Sequence, residues 1–151
     1  MVSPAGGRHG RIAGKLLTRI AVFVEQHGLG HVFAAETGFL LETDPDTVRA
    51  PDVAFISTAA LGDLVDHDGY LPVVPELVAE VVSPNDRSSD VEEKANAWIE
   101  AGVHAVLVVD PQTKSVRRYM EGEDIRVVKS GGLDLDAVIP GFKLDVDELF
   151  A

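Results

Sequence analysis

Three short stretches of this sequence, Pro51–Ser57 (PDVAFIS), Leu77–Val82 (LVAEVV) and Ala105–Val109 (AVLVV), are apolar at nearly every position rather than at alternate ones. A short run of this kind reads as a strand buried on both faces, so the pattern predicts a sheet covered on each side. Turn-forming residues bound the runs: Ser83-Pro84-Asn85-Asp86 stops the second and Asp110-Pro111-Gln112 the third. A doubly covered sheet needs helices on its faces, and the chain supplies two long candidates.

The first runs from about Gly7 to His27, where Ile12, Leu16, Ile20, Phe23 and Val24 recur at the spacing of one buried helix face. Gly28 suits the left-handed position that closes many helices. The second runs from about Ser89 to Ala101, with Ser89 and Glu92 at capping-box spacing and Gly102 as its stop. Further strands are expected at His31–Ala35, Thr37–Glu42, Ser115–Met120 and Ile125–Lys129. Asp44-Pro45-Asp46-Thr47 and Glu121-Gly122-Glu123-Asp124 read as turns, and Thr58 as the cap of a short helix near Ala59–Leu64. After Gly131-Gly132 a short strand and a turn through Pro140-Gly141 finish the chain. The expected fold is α/β (or α+β): a mixed central β-sheet flanked by helices.

At 151 residues the chain fits a single domain, long enough to bury roughly 70% of its unfolded surface. The absence of cysteine excludes a disulfide framework and a thiolate zinc site. No apolar run approaches the roughly 20 residues that span a bilayer, and the opening MVSPAGGRHGR lacks a signal-peptide core, so a cytoplasmic protein without a membrane partner is expected. The net charge of −12 opposes approach to a polyanion. Many of the acids fall in turns or the tail, however, including Asp44, Asp46, Asp66, Asp68, Glu121 and Glu123. Charges more than about 8 Å away are largely screened at physiological salt. Arg8, Arg11, Lys15 and Arg19 share a stripe beside the apolar face of the first helix. Such a stripe is either a solvated flank, the commoner case, or a ridge for nucleic-acid phosphates.

Three polar residues are left unexplained by periodicity. Asp52 opens an apolar strand directly after Pro51. Glu80 interrupts LVAEVV, where a buried carboxylate costs several kcal/mol unless paired or bound to a metal. Lys94 lies on the second helix, one turn beyond Asp90. Two carboxylates at the ends of adjacent strands suit a hard cation such as Mg2+ (or Mn2+), to which the backbone carbonyl of Val81 can add an oxygen. Such an ion, with an ammonium nearby, fits phosphodiester hydrolysis. The plainer reading makes Asp52 a turn cap, Glu80 a solvent-facing residue and Asp90–Lys94 a surface pair.

Longer segments carry a resemblance. RAPDVAFI (Arg49–Ile56) and PELVAEVVSPNDRSSDVEEKANAWIEAGVHAVLVVDP (Pro75–Pro111) resemble the central block of the Uma2 family. ETGFLL (Glu36–Leu41), IPGFKLDVDELF (Ile139–Phe150) and the opening SPAGGRHGRI (Ser3–Ile12) are similar to flanking segments of that family. The family is described as restriction-endonuclease-like, of the PD-(D/E)xK nuclease superfamily. The resemblance implies that Asp52 and Glu80 are metal ligands. The lysine expected two positions after Glu80 is replaced by Val82, and the resemblance points instead to Lys94 on the following helix. His9 aligns with a histidine common in the family, either near the site or structural. Trp98 stands where an aromatic packs the helix. Asp90 either orients Lys94 or supports the site from behind, and Ser83 either lines it or ends the strand. Family members often begin with an additional helix and hairpin, so residues 1–151 are expected to be one domain lacking that extension.

The implied function is a Mg2+-dependent endonuclease acting on nucleic acid, DNA more than RNA. A homodimer is expected, since related nuclease folds often pair to address two strands. The alternative is a catalytically inactive nuclease-fold protein with a binding or regulatory role. A third reading is a metal-dependent hydrolase of a smaller phosphorylated substrate.

Overall fold

The computed structural model describes residues 4–151; Ser3, at the edge of the opening resemblance, lies outside them. In chain order the elements are α1 (Gly7–Gln26), β1 (Gly30–Ala34), β2 (Phe39–Glu42), β3 (Thr47–Arg49), β4 (Val53–Ser57) and α2 (Thr58–Leu61), which runs into a 3-10 turn at Gly62–Asp66. There follow β5 (Leu77–Val81), α3 (Ser88–Glu100), β6 (Ala105–Asp110), β7 (Ser115–Met120), β8 (Arg126–Val128), β9 (Gly132–Asp134), β10 (Lys143–Asp145) and α4 (Val146–Phe150).

Six strands form one mixed sheet in the order β1-β4-β5-β6-β7-β8. Only β5 and β6 run parallel, and α3 makes the crossover that a parallel pair requires. The apolar runs take the buried middle of this sheet. Val53 and Phe55, Leu77 and Ala79, and Ala105 and Leu107 face a core that includes Ile12, Leu16, Ile20 and Val24 of α1. The intervening Ala54, Ile56, Val78, Val106 and Val108 face a second core with Ala95 and Trp98 of α3. Strands covered on both sides therefore alternate between two apolar environments, which is why the sequence shows no polar alternation there.

Element ends depart from sequence expectation in four places. Ser57, not Thr58, caps α2, its hydroxyl accepting from the N–H of Ala60 at 3.3 Å. The capping box at Ser89 and Glu92 does not form, because α3 starts at Ser88 with Arg87 in the cap position and no side-chain cap. Thr47, read as the last residue of a turn, instead opens a strand through Arg49 that pairs with β2 in a small antiparallel hairpin. The C-terminal segment contains two strands, β9 paired with β10, followed by α4, rather than one strand. Gly28 (φ 59°) and Gly102 (φ 106°) do follow the two long helices in the left-handed region.

Gly30 allows β1 to approach β4. A Cβ added there would collide with the backbone carbonyl of Ile56, which cannot move without breaking the sheet. Gly30→Ala is expected to lower stability by about 1–3 kcal/mol, read as a lower midpoint in urea with an unchanged slope.

Candidate active site

The site forms where β4 begins and β5 ends. Val53 lies opposite Ala79 in the antiparallel pairing, so one further step sets Asp52 beside Glu80. Pro51 has no N–H to contribute, and the strand bends as it leaves the ladder. The Asp52 side chain takes over: Oδ2 accepts the N–H of Val81 at 2.7 Å, extending the ladder with a carboxylate. The amide and carbonyl of one strand residue point to the same side. The Val81 carbonyl is thereby directed to the Asp52 edge. From the first turn of α1, His9 brings Nε2 to 3.5 Å from Asp52 Oδ2.

Glu80 is buried on the α3 side of the sheet, not turned outward. Its two oxygens are held by one helix. Trp98 donates its indole N–H to Oε1 at 3.1 Å, and Lys94, one turn earlier, places Nζ 3.3 Å from Oε2. Trp98 is fully buried, whereas the Lys94 side chain is half exposed. Burial pushes the Glu80 pKa above its ordinary value of 4.5. Lys94 pulls it down, the Asp52 carboxylate pushes it up, and the Trp98 hydrogen bond lowers it; the net direction is upward. A cation between the two carboxylates would relieve both the desolvation and the mutual repulsion.

The remaining sequence candidates fall as follows. Asp90 is exposed and makes no ion pair with Lys94 among the described residues; Lys94 turns to Glu80 instead. The backbone N–H of Ser83 donates to Asp86 Oδ2 at 2.8 Å, a turn that ends β5. The basic stripe on α1 lies against α4. Lys15 Nζ donates to the backbone oxygens of Glu148 (2.6 Å) and Ala151 (2.9 Å), Arg11 Nη1 donates to Ala151 (3.2 Å), and Arg19 lies 4.0 Å from the Glu148 carboxylate. Arg8, nearer the helix start, is exposed. Sequence reasoning took Trp98 as packing only and missed its hydrogen bond to Glu80. It also missed the Tyr119 hydroxyl bonded to Glu92 Oε2 at 3.0 Å, which ties α3 to β7.

Among the described residues, no group of three or more His, Cys, Asp or Glu side chains converges as a metal cage. Any cation held by Asp52, Glu80 and the Val81 carbonyl would take its other ligands from water. Mg2+ tolerates that arrangement; a structural zinc site, which wants four nitrogen or sulfur donors, does not. No helix among the described residues is long and apolar enough to cross a membrane.

A mixed six-stranded sheet flanked by helices is an architecture shared with a nuclease-like fold. The crystal structure of a "putative nuclease belonging to DUF820" from Anabaena variabilis matches with a TM-score of 0.83, over 99% of this chain and 84% of that one, at 16% identity. The chain belongs to the Uma2 family, described as "Putative restriction endonuclease", which matches residues 1–147. No curated protein matches it.

Two outcomes test this geometry. Because folding raises the Glu80 pKa, the folded state holds that proton more tightly than the unfolded chain, and stability falls as pH rises through the folded-state pKa. Metal-free Glu80→Gln is expected to melt at or above the wild type at pH 7. That advantage should shrink as pH falls toward 4.5, the ordinary value, in melting curves recorded across the range. Trp98→Phe strands a buried carboxylate oxygen and should cost about 1–3 kcal/mol in chemical denaturation.

Proposed function

We propose that this protein is a Mg2+-dependent endonuclease that hydrolyses phosphodiester bonds in nucleic acid, with DNA preferred to RNA. The observation that carries the proposal is the placement of Asp52 and Glu80 side by side across two strands, with Lys94 Nζ 3.3 Å from Glu80. Membership in a family described as a restriction endonuclease supports the same reading and makes DNA the first substrate to test.

In this reading Asp52, Glu80 and the Val81 carbonyl hold the metal. Bound there, Mg2+ (or Mn2+) would supply Lewis-acid polarisation and a lower pKa for an attacking water. The protein's own groups do the positioning. Val81 N–H and His9 fix Asp52, and the Trp98 indole fixes Glu80. Lys94 offers a fixed positive charge where negative charge develops on the phosphoryl oxygens. The exposed parts of Arg8, Arg11, Lys15 and Arg19 are the phosphate contacts assigned to a longer substrate. Each such phosphate contact adds to the salt dependence of docking, while the net charge of −12 opposes approach of the polyanion.

Calorimetric titration with Mg2+ or Mn2+ should show binding to the wild type that is lost in folded Asp52→Ala and Glu80→Ala. Lys94→Ala should retain metal binding and lose cleavage of a DNA substrate by about a hundredfold or more. Absence of metal binding to the wild type overturns the catalytic reading and leaves a nuclease-fold binding protein. Cleavage of small phosphodiesters but not of DNA would instead favour the smaller-substrate hydrolase.

A further inference from the structure

A groove of about 470 Å3 opens beside the candidate site, between the turn joining β1 to β2 and the loop that leads toward β5. Its walls include Phe33, Glu36 and Gly38 on one side and Leu64, Asp68 and Tyr70 on the other. Its size falls in the range of small-ligand sites, about 300–1,000 Å3. We propose that it binds a nucleobase of the polymer being cut, and that it prefers a base edge rich in N–H donors, guanine first. This rests on the nuclease reading above and adds to it a subsite for a base.

The platform is Tyr70. It is 62% exposed, the most exposed large hydrophobic side chain among the described residues. The segment that carries the ring is nonetheless anchored. The ring lies over the backbone of Gly38, where an added Cβ would sit 2.5 Å from Tyr70 Cδ1. Backbone bonds lock the two segments together on either side of it, from Leu71 N–H to the Gly38 carbonyl (3.0 Å) and from Leu40 N–H to the Leu71 carbonyl (2.9 Å). One side of the ring thus packs on a glycine, and much of the rest is offered to solvent. An aromatic ring held this way costs little further ordering when a flat heterocycle stacks on it.

The charge of the groove chooses between the parts of a nucleotide. Glu36, Asp68 and His67 line it, and no lysine or arginine does. A phosphate would meet carboxylates and no cation, so the groove suits the base. Carboxylates accept from N–H groups. Guanine presents two such donors side by side, cytosine and adenine present an amino group, and thymine presents a single ring N–H. Location fits the same assignment. Ala34 pairs with Val53, so Glu36, two residues past Ala34, lies just beyond the strand end that carries Asp52. The β1–β2 wall of the groove therefore leaves the sheet at the same end as Asp52, one strand away from it and two strands from Glu80, on the path of a nucleotide flanking the scissile phosphate. A base enters such a pocket from single-stranded substrate or after leaving its stack.

The test uses free nucleosides, which carry no phosphate, and metal-free protein. In saturation-transfer NMR, 2′-deoxyguanosine is expected to receive magnetisation from the wild type and to shift the amides of Gly38, Gly69 and Leu71. Tyr70→Phe should bind equally well, and folded Tyr70→Ala about tenfold more weakly or not at all. Thymidine should bind several-fold more weakly than 2′-deoxyguanosine, and Asp68→Asn should narrow that difference. The proposal is overturned if no nucleoside contacts the folded wild type, or if Tyr70→Ala binds as the wild type does. Equal binding of thymidine overturns the donor-edge preference. These readouts need neither metal nor cleavage, so a failed metal titration would sink the nuclease reading while nucleoside binding still reported on the groove.

Discussion

Val53 lies opposite Ala79, and this single pairing decides where every ionisable group of the site ends up. Both strands are buried on two faces, so a slip of one residue would exchange the α1 and α3 environments for every side chain of the shifted strand. Glu80 would then leave Trp98 and Lys94 and enter the wholly apolar core beneath α1. The mixed volumes of the two cores, large aliphatics against α1 and a tryptophan against α3, make that exchange costly. The register that packs the core is therefore the same one that sets Asp52 beside Glu80.

The price of that placement is a carboxylate in a strand where every neighbour is apolar. Lys94 and Trp98 offset it only in part, since the net effect of the surroundings is to favour the protonated form. Concentrating charge of one sign in a dry site is unfavourable for folding and favourable for capturing a cation, which is how function and stability come to oppose each other at active sites. The opposition is confined to one end of the sheet. Elsewhere, acids are matched to backbone N–H groups: Glu76 Oε1, partly buried, accepts from Ser57, and Asp147 Oδ2, at the surface, accepts from Gly131.

The middle of the sheet was legible in the sequence because burial on both faces leaves an apolar run, and Leu77–Val81 and Ala105–Asp110 fall within a residue of where those runs place them. The ends were less legible because adjacent residues can serve the same role. Ser57 and Thr58 both carry hydroxyls, and only the chain direction decides which one faces the free N–H groups. At α3, Asp86 is engaged in the turn at Ser83, and the helix begins without a side-chain cap. Asp52 and Glu80 stood out as polar interruptions of apolar strands and Lys94 as a helical cation one turn beyond Asp90, but its partner across the fold, Glu80, was not visible from helix spacing. The polar task of Trp98 left no trace in one dimension. A tryptophan on a buried helical face reads as packing, and its N–H acquires a partner only when β5 passes beneath it.

The clasp between α1 and α4 bears on the order in which the protein can be assembled. Lys15 and Arg11 find their oxygen partners more than 130 residues downstream, at Glu148 and Ala151. During synthesis the first helix therefore emerges with its cations facing solvent, and they remain so until nearly all of this sequence has left the ribosome. Contacts separated by that much chain form late, because a long loop must close before they contribute. In the finished fold Arg11 and Lys15 each hold the end of α4 through its backbone oxygens, while Arg8 stays exposed.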